Sequence, residues 1–206
     1  MKKLSIIVPV YNQQDLIIRA LESIPKRKDI EVVIVNDGST DNTYNRCLKW
    51  MIEEQELKVK ICSQVNKGLG SAKNLGYENA TGEYITQLDS DDYLITEEYE
   101  KILNELDGTD MVYCNLELNS GEVFKLTPET QSKYCSGCVR FIKRSFLGKT
   151  RCLEIRATED WYLNQELQKK PHTEKYTNIT AYHYNFPRKG SLYDIYVKGG
   201  KDVATK

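Results

Sequence analysis

The 206-residue chain lacks the features that mark several common protein classes. It has 29 basic and 30 acidic residues and a formal net charge of −1, so it has no positive excess for binding nucleic acid. It also lacks an apolar run long enough to cross a bilayer. These absences leave a globular protein, which we expect to be cytoplasmic and to form one α/β domain over residues 1–206.

Several familiar motifs are present only in part. The apolar stretch at the N-terminus contains Pro9 and has no small-x-small cleavage site, which favours a core strand over a signal peptide. Cys135 and Cys138 form a C-x-x-C without a second pair at zinc spacing, so ordinary burial is favoured over a metal or redox role. In GLGSAKNLG, Lys73 stands where a dinucleotide fingerprint has its third glycine, and no phosphate loop is present.

Strand-like and helix-like segments alternate along the first part of the chain. The pattern predicts strands over 4–10, 30–36, 57–64 and 83–88, and helices over 15–24, 42–56 and 70–80. Farther on, it predicts a helix over 97–106, a strand over 110–118, a helix over 159–170 and a last strand over 178–186. Such alternation is typical of a mostly parallel sheet with helices on both faces.

Three carboxylates follow the fourth predicted strand. Asp89, Asp91 and Asp92 repel one another, so we expect a positive partner. Mg²⁺ or Mn²⁺ commonly shares one or two Asp side chains with the phosphates of a substrate. A calcium loop is excluded because Leu94 stands where its sharp turn requires glycine. The structural alternative is that Asp91 or Asp92 caps the following helix.

Two further polar side chains directly follow predicted strands. Tyr11 follows the first strand and Asp37 the second. Because sheets of this kind bind ligands beyond the carboxyl ends of their strands, we expect both residues to share one site with the Asp89 cluster. As alternatives, Asp37 belongs only to the turn DGSTDNT, and Tyr11 only packs.

Four stretches together resemble family 2 glycosyltransferases of the GT-A fold. They are SIIVPVYN, VVIVNDGSTDNT, NKGLGSAKNLGYENATGEYITQLDSDDYL and EDWYLNQEL. The first three match the family's order and spacing within residues 1–106, and the resemblance is thinner beyond them. The family usually has Arg where Lys73 stands, and a lysine keeps the charge but loses the bidentate fork.

The resemblance implies a GT-A domain in which residues 1–106 bind a nucleotide-diphosphate sugar, usually UDP-linked, and residues 107–206 form the acceptor side. The donor-binding residues it implies are Pro9, Tyr11, Asp37, Asn66, Lys73, Asp89 and Ser90, with Arg188 and Ser191 in a loop that could close over the diphosphate. It further implies Mn²⁺ or Mg²⁺ as cofactor. The ligands for this cation would be Asp91, Asp89 and Asp92, with His183 as an additional candidate, although a lone histidine is often only structural.

The resemblance also implies an inverting reaction with Asp160 as the general base. Glu159 would then be the neighbour that contacts the donor sugar. The alternative is that both acids only favour a helix N-terminus. Trp161 could stack on a sugar ring or belong to the core.

Two rival functions use the same residues differently. A nucleotidyltransferase also has paired Asp after a strand, but its usual glycine-rich start is replaced here by VPVYNQQD. A catalytically inactive protein could bind sugar nucleotides, although Asp91 and Asp160 argue against it. Partners other than the donor would be a carbohydrate, lipid-linked or protein acceptor. The basic tail, 187–206, could contact a membrane or be a solvated end.

Overall fold

The computed structural model describes residues 3–131, 136–155 and 158–187. Its strands are β1 (Leu4–Val10), β2 (Ile30–Asn36), β3 (Lys58–Ser63), β4 (Tyr84–Gln87), β5 (Tyr93–Leu94), β6 (Met111–Leu118), β7 (Val123–Phe124), β8 (Arg140–Lys143) and β9 (Glu174–Tyr184). Its helices are α1 (Ile17–Glu22), α2 (Thr43–Glu53), α3 (Leu69–Asn79), α4 (Thr96–Glu105), α5 (Arg144–Leu147) and α6 (Glu159–Gln168), and a 3₁₀ turn covers Gly137–Val139.

All of these strands join one sheet in the order β3-β2-β1-β4-β8-β6-β9-β5, with β7 paired to β6. The strands β3, β2, β1 and β4 are parallel neighbours, and β6 and β9 run in the same direction as they do. The strands β5, β7 and β8 run the opposite way. The sheet is therefore mostly parallel, as predicted, and β8 connects the strands of residues 1–106 to those of 107–187.

Helices cover both faces of the sheet, as predicted. The chain moves in one direction across the sheet from β1 to β2 to β3, and then returns to β4 on the far side of β1. Right-handed crossovers consequently place α1 and α2 on one face and α3 on the other. The contacts agree, because α1 packs on α2 while α3 packs on β1 and β2.

The first two strands are buried along their whole length because they are covered on both faces. Helix α3 lies very close to β1, since a Cβ at Gly76 would be only 2.2 Å from Cγ2 of Ile7. The edge strand β3 alternates between exposed and half-buried residues. The core therefore lies around β1, β2 and β4, directly beneath the carboxyl ends of these strands.

The last strand and the short strand β5 differ from the sequence prediction. The last strand begins earlier than predicted and covers Glu174–Tyr184 instead of 178–186. The two-residue strand β5 was not predicted, and it forms by pairing with β9, where Tyr93 lies opposite His183. A strand this short has no periodicity of its own, so only its partner defines it.

The described residues contain neither a disulfide nor a helix that is long and apolar enough to cross a membrane. Cys47 and Cys114 are buried thiols, as expected, whereas Cys62 is partly exposed. Cys138 is also buried, and burial raises the pKa of its thiol well above the usual value. Cys135, the other half of the C-x-x-C, lies outside the described residues.

Candidate active site

The predicted site residues that follow β1, β2 and β4 come together at one edge of the sheet. The backbone N–H of Asp37 donates to the carbonyl of Val10 at 2.9 Å, and that of Leu88 donates to the carbonyl of Ile7 at 2.9 Å. Tyr11 and Asp89 are the next residues along their strands, so they emerge beside Asp37. The strand order thus brings the three polar elements together.

Asp37 anchors the loop between β3 and α3. Its carboxylate is buried and accepts hydrogen bonds from the Gln64 side chain at 2.7 Å and from the backbone N–H groups of Lys67 and Gly68, both at 2.9 Å. The exposed Asn66 lies on this loop. Asp37 therefore positions Asn66, and a contact between Asp37 and a base stays a prediction.

Tyr11 lies on the surface of this edge and is 44% exposed. The adjacent Asn12 has a positive φ of 49° and connects the loops after β1 and β2, since its side chain accepts a hydrogen bond from the Thr40 N–H at 2.8 Å. Tyr11 is thus presented to solvent by a fixed loop and is not a core residue. Pro9, in contrast, is buried within β1 opposite Val35.

The carboxylate of Asp92 contacts the end of β9. The buried carboxylate of Asp92 accepts from the Tyr182 hydroxyl at 2.6 Å and from the Asn185 N–H at 2.8 Å. Both of its oxygens therefore hold the end of β9, and its role as a metal ligand stays a prediction that these contacts do not favour. Because both Asp92 oxygens are engaged by Tyr182 and Asn185, and the N-cap residue of α4 is Ile95, the capping alternative does not hold for Asp92.

Asp89 carries negative charge that the surrounding residues do not offset fully. Burial raises the pKa of its carboxyl to about 7; Lys73 opposes this shift, while Asp91, Asp160 and Glu159 add to it. Ser90, between the acids, is buried. This edge of the sheet is therefore electrostatically suited to a cation.

The donor set fits a cation that arrives with phosphates. Among residues 3–131, 136–155 and 158–187, no group of three or more His, Cys, Asp or Glu side chains could enclose a metal ion. Mg²⁺ needs only one or two carboxylates when phosphate oxygens and water complete its coordination. Asp89 and Asp91 supply that number.

The remaining predicted ligands are placed differently. A ring nitrogen of His183, Nε2, lies 3.0 Å from the side-chain oxygen of Asn119, and its ring stacks on Tyr93 with centroids 4.2 Å apart. These contacts give His183 of β9 a structural place between Tyr93 of β5 and Asn119, and metal ligation by it stays a prediction. Arg188 and Ser191 lie outside the described residues, as does most of the basic tail.

Helix α6 presents Glu159 and Asp160 in its first turn, and both bind Lys73 of α3. The Lys73 ammonium is 2.6 Å from Oε1 of Glu159 and 2.7 Å from Oδ2 of Asp160, and the Lys73 side chain is 1% exposed. Burial alone would lower the pKa of Lys73, but Asp160, Glu159 and Asp89 raise it well above the usual value. We call Lys73, Glu159 and Asp160 the ion triad.

The pKa values of the two acids of the ion triad shift in opposite directions. Burial raises the pKa of Glu159, and the nearby Asp160 charge adds to this shift, although Lys73 opposes both. Burial would also raise the pKa of Asp160, but the charge and hydrogen bond of Lys73, together with Arg140, lower it below its usual value. Asp160 is therefore ionised at neutral pH. Lys73, Asp160 and Glu159 are all near enough to Asp89 for their charges to shift its pKa.

Helix α3 also binds the backbone of residues 152–155, which precede α6 by a few positions. Asn74 exchanges two hydrogen bonds with the backbone of Cys152, at 2.8 and 2.9 Å. A Cβ at Gly70 would be 2.0 Å from the carbonyl oxygen of Leu153. We call these contacts the α3 clamp. The sequence reasoning missed it, although both residues lie in the GLGSAKNLG stretch that it had singled out.

Trp161, next to Asp160, is a surface residue. It is 44% exposed and meets Tyr162 edge to face, with ring centroids 5.0 Å apart. The possibility that it belongs to the core is therefore wrong.

A family model described as glycosyl transferase family 2 matches residues 5–183. The glycosyltransferase GlyA of Streptococcus pneumoniae is 29% identical over 95% of this chain and 32% of its own length. The putative glycosyltransferase EpsH of Bacillus subtilis is 34% identical over 71% of this chain and 44% of its own length. The chain thus spans less than half the length of these relatives.

Solved structures with the same arrangement of strands and helices include two complexes. S. aureus TarS 1-349 with UDP-GlcNAc superposes with a TM-score of 0.81 at 22% identity, over 93% of this chain and 60% of that one. The mannosyltransferase PcManGT of Pyrobaculum calidifontis with GDP-Man and Mn²⁺ gives 0.72 at 20% identity, over 91% and 58%. At these identities the likeness establishes a shared fold.

Proposed function

The chain belongs to glycosyl transferase family 2 and has the GT-A fold, and from this premise we propose that it transfers a sugar from a nucleotide-diphosphate sugar to an acceptor hydroxyl. The observation that carries the proposal is the ion triad. Lys73 binds both acids of α6, and the charge of Asp89, at the edge of the sheet, also acts on Lys73. A proton acceptor and a candidate donor site are thereby held together.

The proposed donor is UDP-linked. TarS has been solved with UDP and with UDP-GlcNAc, which supports this choice, while PcManGT with GDP-Man makes a GDP-sugar the natural competitor. The nucleoside would lie beyond β1, β2 and β3, between the exposed ring of Tyr11 and the loop that Asp37 anchors. Asn66 on that loop is then the nearest amide for a base.

The proposal includes a divalent cation, Mn²⁺ or Mg²⁺, held by Asp91 and Asp89. When bound, it supplies Lewis-acid neutralisation of the charge on the departing diphosphate. The raised pKa of Asp89 supports this assignment, because a cation would favour its ionised form. Tyr182 and Asn185 keep Asp92 turned towards β9, so Asp92 supports the geometry of the loop.

The proposed reaction is inverting. The acceptor oxygen attacks the anomeric carbon from the face opposite the diphosphate, and the carbon–oxygen bond to the diphosphate breaks as the new bond forms. The nucleoside diphosphate leaves with the electron pair, and the acceptor proton passes to Asp160. The lowered pKa of Asp160 keeps this carboxylate ready to accept the proton. The exposed indole of Trp161 beside it offers an apolar face to an approaching acceptor, whether carbohydrate, lipid-linked or protein.

The experiment that tests this function is a thermal-shift screen of UDP- and GDP-sugars with Mn²⁺ and with a chelator, followed by an assay of nucleotide release. We expect stabilisation by one donor only when the metal is present, since a ligand that binds the native state raises its stability. If only a GDP-sugar stabilises the protein, the donor is GDP-linked instead of UDP-linked, and the proposed sugar transfer still stands. If no nucleotide sugar shifts the melting temperature or is consumed, the proposed function is wrong.

A further inference from the structure

We infer that Lys73 and the backbone N–H of Gly137 orient the base by holding Oδ2 of Asp160, which leaves Oδ1 as the oxygen that takes the proton of the acceptor. Lys73 is in this view a positioning residue and not a contact of the donor. The inference rests on the proposed function and assigns separate roles to the two oxygens of one carboxylate.

The hydrogen bonds of Asp160 are divided unequally between its oxygens. Oδ2 accepts from the Lys73 ammonium at 2.7 Å and from the Gly137 N–H at 3.1 Å. Oδ1 is buried and accepts no hydrogen bond from any residue that the structure describes. A buried carboxylate oxygen without a donor is unfavourable, so a ligand that brings a hydroxyl to it is favoured.

Lys73 is poorly placed to serve a diphosphate. Its ammonium is buried, and two of its three N–H groups already bind Glu159 and Asp160. A phosphate that replaced these partners would leave two buried carboxylates facing each other. Such a rearrangement is strongly unfavourable.

The second anchor is fixed by close packing. Gly137 begins the 3₁₀ turn that leads into β8, and a Cβ there would lie 2.1 Å from Oε1 of Gln87 in β4. The N–H of Gly137 is therefore held against β4 at a defined position. From β8, Arg140 binds Asn164 of α6 at 2.6 Å and so fixes the helix that carries Asp160.

The test compares Lys73→Met with Lys60→Met, a control at an exposed lysine of β3. In Lys73→Met, kcat for transfer or for slow donor hydrolysis should fall about 10²-fold, the order expected when a reacting group moves by about 1 Å. Donor KM and UDP affinity by calorimetry should stay within about twofold. Lys60→Met should match the wild type in all three measurements.

A double-mutant cycle then decides whether Lys73 acts through Asp160. If it does, Lys73→Met combined with Asp160→Asn should be no slower than Asp160→Asn alone, because the two residues act as a unit. A UDP affinity at least tenfold weaker in Lys73→Met, or losses of kcat that multiply in the combined variant, would overturn the inference.

Removing Lys73 leaves two buried acids unpaired, and the variant could fail to fold. In that case Lys73→Gln in a Glu159→Gln background, which has one buried negative charge fewer, is compared with Glu159→Gln alone. The same outcome is expected, namely a lower kcat with unchanged UDP affinity, and the same outcomes would overturn it. Turnover by the wild type tests the proposed function separately. If the wild type turns over but the two substitutions act independently in the cycle, only the inference about Lys73 is wrong.

Discussion

The sheet buries carboxylates at both ends of its parallel strands, namely at the amino ends, here called the amino edge, and at the carboxyl ends, here called the carboxyl edge. The two edges stabilise these carboxylates to different degrees. At the amino edge, Glu31 near the start of β2 accepts hydrogen bonds from the Ser5 hydroxyl at 2.5 Å, the Thr81 hydroxyl at 2.7 Å and the Gly82 N–H at 3.1 Å, and from the Thr81 N–H. Although burial raises the pKa of Glu31, these hydrogen bonds outweigh it and lower the pKa below the usual value. The amino edge therefore stabilises the negative charge itself.

The carboxyl edge leaves part of its charge without compensation. Burial and neighbouring acids raise the pKa of both Asp89 and Asp92. The hydrogen bonds that lower the pKa of Glu31 show that this sheet can stabilise a buried carboxylate, so the raised pKa values of Asp89 and Asp92 are specific to the carboxyl edge. Charge that its surroundings do not offset is the pattern expected where a ligand is to bind, and fully hydrogen-bonded charge is the pattern expected where the carboxylate only supports the fold.

The largest effect is expected on kcat when Asp160 is changed. Asp160→Asn keeps the shape of the side chain and removes the proton acceptor, so kcat should fall by about 10²–10⁴ while UDP affinity is preserved. Nucleotide release and calorimetry measure the two quantities. Glu159→Gln is the matched control and should be milder. Normal turnover by Asp160→Asn would mean that the base lies elsewhere.

Asp91→Asn should affect binding. Because we assign Asp91 to the cation, UDP affinity in the presence of Mn²⁺ should fall about 10- to 100-fold, the value of a charge-assisted contact. Affinity in the presence of a chelator should not change, nor should the melting temperature of the ligand-free protein. Unchanged metal-dependent affinity by calorimetry would remove Asp91 from the metal site.

Glu31→Gln probes the amino edge and should affect stability alone. The variant loses the charge that four donors solvate, so its free energy of unfolding should fall by about 1.5–3 kcal/mol in urea titrations. UDP affinity should stay within twofold. Glu166→Gln, which removes an exposed acid paired with Lys169, is the control and should change stability by about 0–1 kcal/mol. A large loss of UDP affinity in Glu31→Gln would contradict the separation of the edges.

The smallest effect concerns pH and has opposite signs at the two edges. The pKa of Asp89 is raised to about 7 in the folded protein, so its contribution favours folding at low pH and is lost as the pH rises towards 7. In the metal-free protein, Asp89→Asn should match the wild type near pH 4 and be more stable than it near pH 8.

Glu31→Gln supplies the contrast, because the pKa of Glu31 is lowered and its contribution is lost as the pH falls. The stability deficit of Glu31→Gln should therefore shrink in acid, while the advantage of Asp89→Asn grows in base. Urea titrations at several pH values measure both. Parallel pH profiles for the two variants would refute the contrast.

Residues 1–106 were largely predictable because their signals are local. The apolar β-branched runs of β1 and β2 can only be strands buried on both faces, and their boundaries match the prediction at 4–10 and 30–36. The crossover rule then places Tyr11, Asp37 and Asp89 at one edge. No knowledge of distant residues is needed for these steps.

The partners of the charged side chains were not predictable, because they lie far away in the chain. The charge of Lys73 was recognised, but its partners Glu159 and Asp160 are 86 and 87 positions away, and nothing within α3 identifies them. Likewise Asp92 binds Tyr182 across 90 positions. The sequence thus indicates candidate site residues, and the tertiary fold decides which of them contact one another.

The α3 clamp bears on how such proteins can diverge or be recombined. Asn74 binds the backbone of Cys152, and Gly70 makes room for the backbone of Leu153, so neither contact depends on the side chains of residues 152–155. Side chains of residues 152–155 can therefore change without removing these backbone contacts to the helix. A chimera that exchanges this segment between relatives should keep Glu159 and Asp160 in place as long as α3 retains Gly70, Lys73 and Asn74.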